Sequence, residues 1–333
     1  MTANLATATR QDLLKRALFC GHLLTLNNPR YMRTLDAIVG TLLAEDCEPQ
    51  DLTVASLGLE HRRSGAQIIV RQPGVAAGIQ EAERLVRLAG AAAIRLKDDG
   101  DPLTPGDALL EMHGHSGTLL SLERVCLNLL QRMCGIAAAT RRWQELAQRH
   151  SRSARLVATR KTPWGLLDKR AVHCGGGGTH RLSLGDAILI KNNHLALLGG
   201  SEAEAVPAAL ETAWRRRGIA AFVEVEVRGL QAARVAARTF QRLQSSDLDS
   251  PPCLILLDNM TPGEIARIVG ALQAESLWDK VLIEASGRIS EDTIGAYAAS
   301  GVDAISAGAL THSIEALDLR QELIPAKDNF NRG

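Results

Sequence analysis

From Arg155 onward the sequence repeats one pattern, a short aliphatic run followed by a stretch with helical spacing. The runs are Leu156 to Ala158, Ala187 to Ile190, Phe222 to Val227, Leu254 to Leu257, Val281 to Ile283, and Ala304 to Ile305. Strands that alternate with helices are joined by crossovers, and this makes them parallel neighbours in one sheet. In a β/α barrel, function collects where the strands end. These ends read Thr159-Arg160-Lys161, Lys191-Asn192-Asn193-His194, Glu226, Asp258-Asn259, Ser286-Gly287 and Ser306-Ala307-Gly308. Any one of them alone is an ordinary helix cap or turn. In series they predict a ring with cations on the early strands, carboxylates on the middle strands and small residues on the last two. Glycine lets backbone N–H groups approach a phosphate closely. The ring therefore suits a substrate with a phosphate, a polyol or metal-bound portion facing Glu226 and Asp258, and an anionic group facing Arg160, Lys161 and Lys191.

The preceding part mixes periods. Leu35, Ile38, Val39, Leu42 and Leu43 recur at helical spacing, Ala66 to Val70 reads as a strand, and Ala76 to Leu88 as a helix. A long helix is expected from Leu119 to about Ala139, with Leu122, Val125, Leu129, Leu130 and Met133 on its apolar stripe and Arg132 off it. Over the whole chain 38 Lys and Arg face 37 Asp and Glu, which argues against bulk attraction to nucleic acid or to an anionic membrane. The basic residues are uneven, however. Between Leu120 and His194 only Glu123, Glu145, Asp168 and Asp186 oppose them, which points to a small polyanion, although Arg141, Arg142, Arg149 and Arg152 read better as solvated helix-face charges.

No window approaches the length of a membrane span, and the start of the chain lacks an apolar leader with a cleavage site, so the expectation is a cytosolic protein. Six scattered cysteines without a C-x-x-C pair predict reduced thiols. Gly175 to Gly178, followed by Thr179-His180-Arg181, is too glycine-rich for an element interior. It is a linker or a flexible loop that delivers cations; it is neither a dinucleotide fingerprint nor a P-loop. His113 and His115 share one face of a strand at metal-ligand spacing, but with no third ligand in view they read as structural.

At these positions the chain resembles the quinolinate phosphoribosyltransferases, also called carboxylating nicotinate-nucleotide pyrophosphorylases. The resemblance is carried by LNLLQRMCGIAAAT (Leu127 to Thr140), ATRKT (Ala158 to Thr162), KRAVHCGGGGTHRLSLGDAILIKNNH (Lys169 to His194), VEVEV (Val223 to Val227), LLDNM (Leu256 to Met260), EASGRIS (Glu284 to Ser290) and GVDAISAGALTHS (Gly301 to Ser313), in the family's order. Weaker echoes are AEDCEPQDLT (Ala44 to Thr53) and GVAAG (Gly74 to Gly78).

The resemblance implies an α/β fold in two domains: an N-terminal α/β sandwich over 1–140, joined by the tail 313–333, and an open, incomplete β/α barrel over 141–312. It implies transfer of phosphoribose from phosphoribosyl pyrophosphate to quinolinate with loss of CO₂, giving nicotinate mononucleotide and pyrophosphate. Mg²⁺ is implied as the cofactor, carried on the pyrophosphate beside Glu226 and Asp258 with no protein ligand assigned. By matching position, Arg160, His180, Arg181 and Lys191 hold the quinolinate carboxylates, with Thr159 and Lys161 beside them. Glu226 and Asp258 contact the ribose hydroxyls and the metal–pyrophosphate, and Ser286, Gly287 and Gly308 the ribose phosphate. Lys161, Glu226 and Asp258 are the implied catalytic residues. Arg132 is implied to reach the site of a neighbouring subunit, hence a homodimer with shared sites.

Several positions depart from the family pattern. Asn192 stands where aspartate is usual, Cys134 where serine is common, and Arg288 where glycine is common. Pro163-Trp164-Gly165-Leu166-Leu167 is shorter than the usual segment and lacks its arginine, and Arg242 to Pro252 reads as a surface insertion. Two other readings stand beside this one. The first is a related phosphoribosyltransferase on the same scaffold, nicotinate-specific or associated with molybdate transport; the second is a non-catalytic ligand-binding barrel.

Overall fold

The structure is a computed structural model that describes residues 9–47, 50–247 and 249–324. Residues 1–8, part of the AEDCEPQDLT segment and residues 325–333 of the expected tail lie outside the described residues. The chain divides into two compact units, one holding residues 22–141, 162–176 and 311–324, the other residues 9–21, 142–161 and 177–310. This is more interleaved than the division into 1–140 and 141–312: the first helix belongs with the barrel, and the segment after Lys161 belongs with the other unit.

The first unit contains β1 (Arg63–Val70), β2 (Gly74–Val75), β3 (Ala92–Arg95), β4 (Pro102–Leu103) and β5 (Ala108–His115). The helix expected from Ala76 begins only at Ile79, because the preceding residues pair as β2 with β4 and Gly78 turns through φ +85°. The helix expected from Leu119 is broken in two, Ser116–Ser121 and Glu123–His150, so it starts earlier and runs further than its apolar stripe suggested. Leu122, Val125, Leu129, Leu130 and Met133 are all buried, as the periodicity required.

The second unit is built on β6 (Arg155–Val157), β7 (Ile188–Ile190), β8 (Val223–Val227), β9 (Cys253–Asp258), β10 (Leu282–Ser286) and β11 (Ala304–Ser306). All pairings are parallel, in the order β6-β11-β10-β9-β8-β7. The two strands that come first in the chain therefore lie at opposite edges, and the barrel stays open between them. A last strand, β12 (Leu319–Ile324), returns to the first unit and gives its antiparallel sheet the order β12-β1-β5-β3.

Alternation along β8 shows how the barrel is filled. Val223, Val225 and Val227 pack outward with the helix residues Ala233, Ala236, Phe240 and Leu210, which leaves Glu224 and Glu226 on the opposite, inner face. The helix Arg10–Leu18 closes the amino-terminal end of the strands: Leu14, Ala17 and Leu18 cluster with Ala187, Phe222, Leu254, Leu282 and Ala304. With that end plugged by apolar side chains, the carboxyl ends are left as the polar mouth.

The tetraglycine segment is packed rather than flexible, contrary to the sequence expectation. Gly178 donates to the Leu156 carbonyl at 2.8 Å and accepts from Ala158 at 2.8 Å, extending the sheet beyond β6. A Cβ on Gly178 would lie 2.7 Å from Val157 and 2.9 Å from the Leu18 carbonyl, so glycine is needed for close approach. The stretch Arg242 to Pro252 is likewise less loop-like than expected. The helix Leu230–Ser245 includes Arg242, which pairs with Glu211, and Pro251 and Pro252 are buried at the start of β9.

One buried carboxylate ties the plugging helix to the sheet. Asp303, almost fully buried, accepts the Ile283 amide at 2.7 Å and both arms of the Arg10 guanidinium, which also lies 3.7 Å above the Trp278 ring. Removing one partner of a buried pair strands the other charge, at a cost of about 3 kcal/mol. Arg10→Ala is therefore expected to lower the unfolding free energy in urea by about that amount; a loss below about 0.5 kcal/mol would mean that this pair does not anchor the helix.

Candidate active site

Strand ends from one side of the sheet line a single cavity of about 390 Å³. Its walls are Thr159, Arg160 and Lys161 beyond β6, His180 and Arg181 beyond the tetraglycine turn, Lys191 beyond β7, Glu226 on β8, Asp258 on β9, Ser286 on β10 and Ser306 on β11. The ring read from the sequence is thus a real enclosure, and the structure places Thr159, Arg160, Lys161, His180, Arg181, Lys191, Glu226, Asp258 and Ser286 together. Gly287 directly follows a lining residue, and Gly308 lies two residues beyond Ser306. Arg160 and Lys191 have no ion pair among the described residues, so this wall presents net positive charge to whatever enters.

Arg181 is largely buried, and one Nη donates to the Ala187 carbonyl at 3.1 Å. Burial, and then the neighbouring Arg160, push its pKa down. Two cations held this close in a half-dry cavity are stabilised by an anion. On the opposite wall burial raises the Glu226 pKa, and Asp258 raises it further, while the Asn192 backbone and Lys191 oppose the shift. The backbone at Asn192 thus acts on Glu226 although its side chain carries no charge. Asp258 is held by Arg228, whose Nη2 lies 2.9 Å and Nε 3.2 Å away.

The floor of the cavity contains a cluster that the sequence reading missed. His180 Nε2 lies 3.2 Å from Glu224 and 3.5 Å from Glu284, both carboxylates being essentially inaccessible. Burial pushes the His180 pKa down, but Glu284 and Glu224 more than offset it and bring it to about 9. Burial, and then Glu284, push Glu224 above the usual carboxylate range. His180 Nδ1 also accepts the Arg181 amide at 2.8 Å, which a cationic ring cannot do. A single contact between adjacent residues weighs less than two buried carboxylates, so the electrostatics favour the charged ring. These three residues are the one group among the described residues spaced closely enough to hold a metal ion, but His180 already compensates the two carboxylates as an ion pair. A signal for Glu224 was present in the sequence, since in VEVEV the period of two puts it on the same face as Glu226.

Backbone strain concentrates at the same mouth. Four described non-glycine residues have positive φ, and three of them belong here: His180 at +52°, Asn259 at +55° and Arg288 at +50°. Arg288 takes this conformation at the position where its family resemblance predicted glycine. Gly287, at φ +101°, cannot carry a side chain, because a Cβ would meet the Asn259 side chain and lie 2.9 Å from the Asn259 amide.

Arg132 belongs to the other unit and is firmly held there. Its fork grips the buried Asp168, with Nε 2.8 Å from Oδ1 and Nη2 2.7 Å from Oδ2; Nη2 also donates to the Thr311 carbonyl, and the guanidinium lies 5.2 Å from the Trp164 ring. Asp168 also accepts from the Thr162 hydroxyl and the Trp164 amide. The shortened Pro163 to Leu167 segment is therefore organised around this carboxylate. His113 and His115 lie on β5 as expected; His113 Nε2 contacts Glu111 at 2.8 Å, and His115 meets the His61 ring edge-on. All six cysteines are free thiols.

Similarity to known proteins agrees with this geometry. Residues 51–134 match the quinolinate phosphoribosyl transferase N-terminal domain, and residues 136–322 match the C-terminal domain. The chain is 38% identical over 292 residues to the probable carboxylating nicotinate-nucleotide pyrophosphorylase of Methanothermobacter thermautotrophicus, covering 86% of this chain and 98% of that protein. It is 33% identical over 292 residues to the human carboxylating nicotinate-nucleotide pyrophosphorylase, covering 87% and 92%. The structure of NadC from Streptococcus pyogenes superposes with a TM-score of 0.74 at 31% identity, covering 88% of this chain and 97% of that one. On these grounds the chain belongs to the quinolinate phosphoribosyltransferase family.

Proposed function

We propose that the protein transfers phosphoribose from phosphoribosyl pyrophosphate to quinolinate and releases CO₂, forming nicotinate mononucleotide for NAD biosynthesis. The observation that carries this reading is one cavity walled by Arg160, Lys161, Arg181 and Lys191 on one side and by Glu226 and Asp258 on the other. The cationic side suits a dianion. Gathering several cations at one wall is costly, so a ligand with fewer carboxylates leaves part of that cost in place.

The acidic side faces the sugar. Departure of pyrophosphate leaves positive charge at C1 of the ribose, and Glu226 and Asp258 stabilise it electrostatically. Bond formation from the pyridine nitrogen to C1 needs no protein nucleophile. The ring nitrogen then becomes cationic and accepts the electron pair left at C2 as CO₂ departs; a proton completes C2. Arg160, His180, Arg181 and Lys191 orient the two carboxylates through this sequence, with Thr159 and Lys161 beside them. Ser286, Gly287 and Gly308 receive the ribose phosphate. The hard oxygen donors of Glu226, which is buried, and Asp258 fit a hydrated Mg²⁺ carried by the pyrophosphate. When bound, the ion neutralises charge on the leaving group.

We further read the enzyme as a dimer in which Arg132, pre-oriented by Asp168 and Trp164, serves a neighbouring subunit's site. No helix among the described residues is long and apolar enough to cross a membrane. Free thiols and water-soluble substrates fit a cytoplasmic location.

Purified protein with Mg²⁺ is expected to release labelled CO₂ and nicotinate mononucleotide in equal amounts from carboxyl-labelled quinolinate. Turnover of nicotinate but not quinolinate would favour the nicotinate-specific reading, and binding without turnover the non-catalytic one.

The pH dependence has a definite sign. His180 is cationic below its pKa of about 9 and attracts the dianion there; above it the attraction is lost. The quinolinate KM is expected to rise as pH passes about 9, and His180→Asn is expected to remove that step from the pH profile. A step that persists in the variant would assign the titration to another group.

Shared sites are tested by mixing two inactive variants, Arg132→Gln and Lys191→Ala, under conditions that exchange subunits. A heterodimer then carries both lesions in one site and neither in the other, so up to half of its sites regain activity. Verified exchange without recovery would mean that Arg132 serves its own subunit or none.

A further inference from the structure

Two carboxylates in the floor of the barrel have no place in the reaction as described so far. Glu224 on β8 and Glu284 on β10 flank β9, opposite Leu254 and Leu256 respectively in the strand register, and neither is more than 1% exposed. None of their four carboxylate oxygens completes a well-directed hydrogen bond within the described residues, although His180 lies within ion-pair distance of both. A buried carboxylate without partners is costly, and two of them side by side are more so. A barrel core could hold aliphatic side chains there, as it does at Leu254, Leu256 and Leu282, so the pair calls for a task.

His180 supplies it. The residue is held in the left-handed region at φ +52°, with its backbone amide on the Leu18 carbonyl at 2.9 Å and its ring edge-on to Phe222 at 5.3 Å. The Arg181 amide meets the ring at Nδ1, 2.8 Å away, and the two glutamates hold its other nitrogen, Nε2, from strands on either side of β9. The other charged groups facing this corner are Arg181, Arg160 and Asp186, of which Arg181 and Arg160 line the cavity.

We propose that Glu224 and Glu284 are positioning residues: they grip Nε2 of His180 from two strands and so hold a charged imidazole against the cavity, where it attracts one carboxylate of quinolinate. This rests on the reading that His180 holds a quinolinate carboxylate. Glu284 borders the cavity and Glu224 does not, yet neither carboxylate is more than 1% exposed, so their effect is expected to pass through the imidazole. Their sign is informative, because two carboxylates acting only by their charge would repel a dianion. If they merely repelled it, removing them would tighten quinolinate binding; if they position a cationic His180, removing them weakens it.

The test is a double-mutant cycle on the full-length protein with quinolinate and phosphoribosyl pyrophosphate as substrates, using the near-isosteric Glu224→Gln and Glu284→Gln, which relieve buried charge and favour folding. In the wild-type background each is expected to raise the quinolinate KM roughly tenfold, the scale of a charge-assisted contact, with kcat and the phosphoribosyl pyrophosphate KM within about twofold. In the His180→Asn background the same substitutions should change the quinolinate KM by less than about twofold. Equal factors in both backgrounds, a lowered KM, or a fall in kcat with KM unmoved would overturn the proposal. If His180→Asn alone leaves the quinolinate KM unchanged, the role given to His180 fails and the proposal with it, a pattern distinct from additivity in the cycle.

Discussion

A parallel sheet sends every strand's carboxyl end to the same side, and the rest of the site follows from that constraint. Once helix Arg10–Leu18 plugs the amino-terminal end with Leu14, Ala17 and Leu18, polar side chains at the other end converge on one cavity. The open edge between β6 and β7 adds the two cationic strand ends that come first in the chain. The extended turn at Gly178 carries His180 and Arg181 into the same space. Charge is thereby sorted by strand, with cations on β6, β7 and the glycine turn and carboxylates on β8 and β9.

That sorting also explains where the protein accepts local cost. Positive φ at His180, Asn259 and Arg288, a depressed Arg181 pKa, and two nearly inaccessible carboxylates under the floor all occur within or next to the cavity. Of these, the crowding of Arg181 by Arg160 is the one that an anion would offset. Away from the cavity, the Asp303 and Arg10 pair shows a buried carboxylate satisfied by a fork and an amide.

Much of this was legible in the sequence. Six apolar runs located all six parallel strands, and the polar residues at their ends gave eight lining residues of the cavity, with His180 and Arg181 added from the glycine-rich segment. The missed residues have physical reasons. Glu224 was hidden inside an aliphatic run, where a carboxylate reads as noise unless the period of two is followed through VEVEV. Glu284 stands two residues before Ser286 and shares its face, but only the fold brings it opposite His180. Asp168 was read merely as one acid among many bases, since nothing local shows that Arg132, far back in the chain, grips it. The tetraglycine was misjudged because sequence alone cannot separate glycine used for freedom from glycine used for close approach; at Gly178 the Val157 and Leu18 contacts decide for the latter.

The central claim is that a net cationic wall, aimed by the sheet, selects a dicarboxylate. Calorimetric titration of the protein with quinolinate and with nicotinate, at low and at high salt, measures this without relying on turnover. The account predicts that quinolinate binds at least about tenfold tighter and that its affinity falls more steeply with salt, because it engages one more charge-assisted contact. Equal affinities for the two ligands, or equal salt dependence, would contradict it.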